Sequence, residues 1–119
     1  MFSTNDDRTG IILGTGPSLT INQIKLVHEA QANQKAMLFG CNLTYQIANL
    51  DVFLACNPAF YDYYWNKGLK DHRADKWSWH KGSSDKYGLN YITGLWRDGL
   101  STNPDYIHYH HGSGPQIIN

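Results

Sequence analysis

Apolar residues in this chain gather in short unbroken runs. GIILG at 10–14, AMLFGC at 36–41 and DVFLAC at 51–56 each hold four or more positions with almost no polar interruption. Runs of that length suit strands of a parallel sheet covered on both faces. After the first run, Ile21, Ile24 and Val27 recur at helical spacing, and the pattern fades near Gln34. A short helix is predicted over 43–49. NPAFYDYYWNKGLK at 57–70 opens like a capped helix, with Tyr61 and Trp65 one turn apart on a single face. That spacing reads as core packing rather than a stacking platform. Runs of strand alternating with helix predict an α/β, Rossmann-like fold: a mostly parallel sheet with helices on both faces, in one domain over residues 1–119.

The second half is less regular. Residues 71–104 are rich in Lys, Asp, Gly and Ser, with Trp77, Trp79 and Trp96 among them. Such a stretch reads as a polar insertion or lid. Within it only YGLNYITGL at 87–95 offers a strand, and YIHYHH at 106–111 offers another. GSGPQIIN at 112–119 starts a helical pattern that has no stop signal, so the chain is expected to be truncated at its carboxyl end.

Composition narrows the partners. The 119 residues carry ten Lys and Arg against ten Asp and Glu, which gives no electrostatic case for nucleic acid or an anionic membrane. No apolar run approaches the ~20 residues of a membrane span. The polar MFSTNDDRT start lacks the pattern of a signal peptide, and a cytoplasmic location is expected. Cys41 and Cys56 each close an apolar run and read as buried thiols.

Candidate chemistry lies where the runs end. Gly14, Thr15, Gly16, Pro17 and Ser18 follow the first run. Glycine permits unusual dihedrals and close approach of a ligand to the backbone. Pro17 suits the first turn of a helix, and the free amides of such a turn attract an anion. A phosphate is the expected occupant. The second run ends in Asn42, the third in Asn57, and YIHYHH in Gly112, Ser113 and Gly114. In an open parallel sheet these positions share the carboxyl edge, near the topological switch point, where ligands bind. Asparagine offers donors and acceptors to ribose, base or phosphate. The competing reading makes Asn42 and Asn57 helix caps and the glycines plain turns. The first loop matches neither standard phosphate motif: Leu19 occupies the third glycine of G-x-G-x-x-G, and no G-K-[ST] follows.

IILGTGPSL, the later CN, CNPAFYDYYW and an SG before a helix together resemble the bacterial sialyltransferases of glycosyltransferase family 42. They are also similar to related glycosyltransferases of phage and bacterial surface-polysaccharide loci. The likeness covers residues 10–66 and resumes at 112–116. It implies a Rossmann-like nucleotide-binding domain that takes a sugar from CMP-sialic acid, or another nucleotide-activated sugar, without a metal or further cofactor. By that resemblance Gly14, Gly16 and Ser18 lie against the nucleotide, Asn42 and Asn57 contact it, and Ser113 and Gly114 open the later helix. Thr15 departs from the amide residue of the family's loop. The family's general-base histidine and phosphate-binding tyrosines follow its Ser-Gly, past the last residue here.

His108 and His110 would share one face of a strand, with His111 opposite. An H-x-H pair can hold zinc, supply a base or touch substrate, or serve structure alone; no Cys or carboxylate cluster completes a metal site beside it. His72 and His80, in the polar stretch, carry no such expectation. The functional reading is a nucleotide-sugar-binding domain of a glycosyltransferase. The alternative is a non-catalytic nucleotide-binding or structural module, for which a phage origin is one expectation.

Overall fold

The computed structural model describes residues 7–96, 102, 103 and 105–109. The parallel α/β architecture that the apolar runs predict is present. Strands β1 (Thr9–Leu13), β2 (Ala36–Cys41), β3 (Val52–Leu54), β4 (Asp75–Ser78) and β5 (Asn90–Tyr91) form one sheet. Every neighbouring pair is parallel, and the spatial order follows the chain. After Ile92, β6 (Thr93–Trp96) begins and pairs in parallel with β7 (Tyr106–Tyr109). The order does not reverse among the described strands, so the switch point expected near the first loop is not among them.

Three helices connect the strands. Helix α1 (Ile21–Ala32) starts at Thr20, whose hydroxyl accepts the Gln23 N–H at 3.2 Å while the Gln23 side chain accepts the Thr20 N–H at 2.8 Å. This reciprocal box satisfies two otherwise orphaned donors. Pro17 therefore does not open the helix. It sits second in a turn closed by Leu19 N–H on the Gly16 carbonyl at 3.1 Å, a position that suits its fixed φ. The stretch predicted as a short helix at 43–49 is a 3-10 turn over Asn42–Gln46. Helix α2 (Pro58–Tyr64) runs into a π-turn over Trp65–Leu69.

The described part of the polar stretch 71–104 is built of regular elements. It supplies β4, helix α3 (Lys81–Tyr87), β5 and β6. Its strand β4 is polar because its inward positions are Lys76 and Ser78; the Lys76 ammonium reaches back to the carbonyls of His72 at 2.5 Å and Ala74 at 3.3 Å. Burial lowers the pKa of this lysine.

Pairing register assigns the sheet's two faces. Ile11, Leu13, Leu38 and Phe53 fall on one, where they meet Val27 of α1, Tyr61 of α2, Leu69 and Tyr87 in a single core. Residues of α1, α2 and α3 therefore all contribute to the core on this face. The other face shows Met37, Cys41 and Leu54 buried, Val52 and Trp77 half-buried, and Ile12 46% exposed. Tyr61 is fully buried, its ring 6.4 Å from Trp65 and its hydroxyl donating to the Trp77 carbonyl at 2.8 Å. The core role expected of that aromatic pair is correct. Cys41 and Cys56 are buried, and neither forms a disulfide.

Candidate functional site at the carboxyl edge

Parallel register carries four loops to one edge. Leu13 pairs with Gly40, Cys41 with Leu54, Leu54 with Trp77, and Ser78 with Tyr91. The loop at Gly14, the turn at Asn42, the cap at Asn57 and the residues after Ser78 therefore all leave the sheet at its carboxyl edge. The first loop borders a cleft of about 460 Å³ lined by Ile12, Leu13, Gly14, Gly16, Ser18, Leu19, Gln23 and Val27. Thr15, Asn42 and Asn57 do not line it. The structure thus brings Gly14, Gly16 and Ser18 together with the start of α1, and leaves the two asparagines along the rim.

The cleft has an apolar floor and a polar lip. None of its lining side chains is charged, so a bound anion would be held by backbone amides, the Ser18 hydroxyl and the Gln23 amide. The Gln23 carbonyl oxygen is already engaged by Thr20. Within the loop, the Leu19 amide is spent on the Gly16 turn and Pro17 has none.

Neither glycine of this loop is required by the chain itself. Among the described residues the glycines with positive φ are Gly68 and Gly88, not Gly14 or Gly16. A Cβ built on Gly14 meets nothing within 4 Å, and one on Gly16 meets only Ser18 Oγ at 3.9 Å. The expectation that this turn needs glycine for its dihedrals is corrected: the backbone there is one that any residue adopts.

The asparagines have local explanations. Asn57 caps α2, its Oδ1 accepting the Ala59 N–H at 3.0 Å. Asn42 stands at φ 52°, in the left-handed region that asparagine tolerates better than most residues. Its side chain is exposed at the rim. Ser113, Gly114 and His110 lie outside the described residues. His108 falls on β7, opposite Leu95.

Sequence reading missed His80. It follows β4 onto the same carboxyl edge and caps α3, its Nδ1 accepting the Ser83 N–H at 3.0 Å. That bond leaves the proton of the neutral ring on Nε2. The signal was absent because a strand reading DKWS does not look like one. Burial raises the Cys41 pKa and so disfavours its thiolate. Among the described residues no group of three or more His, Cys, Asp or Glu could hold a metal. Nor is any described helix long and apolar enough to cross a membrane. No protein-family model, curated protein or solved structure matches this chain.

Proposed function

We propose that the chain is the nucleotide-binding domain of a glycosyltransferase, similar to the family 42 sialyltransferases, which takes a CMP- or other nucleotide-activated sugar at the loop from Gly14 to Ser18. The observation that carries this reading is the pair of glycines at the carboxyl end of β1: they border an open cleft, yet neither a positive φ nor a packing contact calls for glycine there. A ligand lying against the backbone supplies the missing reason. In the reaction that the resemblance implies, the loop amides stabilise charge on the departing phosphate while the sugar passes to an acceptor hydroxyl. Binding rests on amides without a cation, so the affinity is expected between micromolar and millimolar, about 4 to 8 kcal/mol.

A second reading has its own support. Asn57 as a cap and Asn42 as a left-handed residue are both explained by the fold, which favours a non-catalytic or purely structural module. Titration with CMP, UMP, AMP and NAD, followed by amide chemical shifts, is the first step in separating the two. Shifts confined to residues 14–23 with a pyrimidine nucleotide support nucleotide binding at the loop, and turnover of a CMP- or UDP-sugar then separates a glycosyltransferase from a non-catalytic module. Silence toward all four compounds overturns the glycosyltransferase reading.

A further inference from the structure

The opposite edge of the sheet carries a second device. Residues 49–51 form the bend that leads into β3, and all six of their backbone polar groups have partners. Asn49 N–H donates to His28 Nε2 at 2.9 Å, and the Asn49 carbonyl accepts from Gln31 at 2.6 Å. Leu50 N–H donates to His72 Nε2 at 3.3 Å, and its carbonyl accepts from Arg73 at 3.0 Å. Asp51 exchanges with Leu38 and Asp75 in the sheet ladder. Four of the six partners are side chains, and two of those are imidazoles that accept from consecutive amides.

An imidazole accepts only through an unprotonated ring nitrogen. Protonated, both its nitrogens become donors, and each would then point an N–H at a backbone N–H. The bend cannot keep these two bonds with charged histidines. Leu50, 0% exposed, is the core residue that the bend holds in place.

We propose that residues 49–51 form an acid-released latch: neutral His28 and His72 hold the bend closed, and their protonation frees it, uncovering Leu50 at the amino edge while the β1–β2 pairing stays formed. The surroundings of His72 support release. Its pKa is lowered first by burial and then by the cations Lys76 and Arg73. The Tyr45 ring lies 6.1 Å away and adds no charge. Asp71 and Asp75 flank His72 along the chain, and Asp51, in the bend itself, is held by Arg73 at 2.9 Å and by Gln31 at 3.1 Å, so it is committed before it could pair with a charged histidine. On the α1 side, Asn49 and Gln31 meet at the bend, and the charged neighbours of His28 on its own helix are Lys25 and Glu29.

Amide hydrogen exchange on the whole chain tests this, read residue by residue between pH 7.5 and 5.5 and corrected for intrinsic rates. Protection at Asn49 and Leu50 is expected to fall as the pH is lowered, by up to about tenfold per pH unit for each bonded imidazole that gains a proton. Protection at Ile11 and Phe39 in β1–β2 should hold. His28→Gln with His72→Gln keeps an acceptor that does not titrate, and should flatten the change. Unchanged protection at Asn49 and Leu50 in the unaltered chain overturns the latch, as does an equal loss at Ile11 and Phe39. A double variant that folds and still shows the same pH dependence also overturns it. Should the double variant not fold, the unaltered chain decides the matter alone.

Discussion

Asp51 and Leu38 are bonded twice. The Asp51 N–H donates to the Leu38 carbonyl at 2.8 Å, and the Asp51 carboxylate accepts the Leu38 N–H at 2.8 Å. A side chain thereby completes the edge of β2 one residue before β3 begins. Asp51→Ala would leave the amide of a wholly buried residue without its acceptor and strip Arg73 and Gln31 of theirs. The expected loss is about 2–3 kcal/mol, mostly from the orphaned amide, because half-exposed Arg73 adds little. Urea unfolding at pH 7 measures it. A loss under 0.5 kcal/mol would show that water replaces the carboxylate.

The same carboxylate sets an acid limit. Burial pushes its pKa up, but the Leu38 amide, Gln31 and Arg73 together outweigh burial and hold it below the usual value. A depressed folded pKa contributes stability above the unfolded pKa of about 3.9, and that contribution is lost as pH falls through the folded value. In Asp51→Asn, unfolding free energy is expected to depend less on pH between about 4.5 and 2.5 than in the unaltered chain. Parallel curves for the two proteins would assign the acid loss to other carboxylates.

Helix α1 ends on a residue in an unfavourable conformation. Lys35 N–H reaches the Ala30 carbonyl at 2.9 Å and Gln34 N–H the Gln31 carbonyl at 3.1 Å, the bonding of a Schellman cap. Gln34, at its left-handed position, has φ 62°, where glycine carries no Cβ penalty. Gln34→Gly is expected to stabilise the chain by about 0.5–1 kcal/mol, seen as a melting temperature several degrees higher. A lower melting temperature would mean that the exposed glutamine makes a contact worth more than the strain.

Gly40 is a glycine that the chain does need. A Cβ there would collide with Thr44 Oγ1 and come within 2.8 Å of Leu50 Cδ1. Both neighbours are fully buried, so neither has room to yield. Gly40→Ala should cost about 1–3 kcal/mol by overpacking. Pairing it with Leu50→Ala, which opens that space, should give a loss smaller than the sum of the two single losses. Strict additivity would place the clash elsewhere.

How much of this could be read in the chain depended on how local each signal was. The first three strands stood out because GIIL, AMLFGC and VFLAC are apolar without interruption, and the core role of Tyr61 followed from its spacing to Trp65. Strand β4 did not, since Lys76 and Ser78 occupy its inward positions and make a central strand of the sheet look like a loop. The start of α1 was present in the Thr20–Gln23 capping box, but Pro17 offered a competing signal three residues earlier. The latch was illegible: His28, His72 and Arg73 lie 21 to 23 positions from their partners, and nothing in the neighbouring sequence marks them. At the candidate site, the end of the first apolar run marked where the Gly14–Ser18 loop leaves β1, but nothing local showed that its glycines lack a positive φ.

That reason is what the last prediction isolates. Gly16 has no positive φ, and a side chain placed on it would meet only the Ser18 hydroxyl at 3.9 Å. A β-branched residue there should therefore leave the fold intact, with melting shifted by less than about 1 kcal/mol, the size usual for an exposed position. The lip of the cleft is a different matter. A valine at Gly16 stands beside the amides of Thr15, Gly16 and Ser18, where a phosphate would lie. Gly16→Val is expected to lose pyrimidine-nucleotide binding by tenfold or more while melting normally. Gly16→Ala should fall between the two, because a single methyl group displaces an anion less than an isopropyl group does. Both variants need melting and titration on the same preparation, so that a folding defect is not taken for lost binding. If the valine variant folds and binds as the unaltered chain does, no ligand rests against this loop, and the glycines at 14 and 16 serve neither backbone conformation nor recognition.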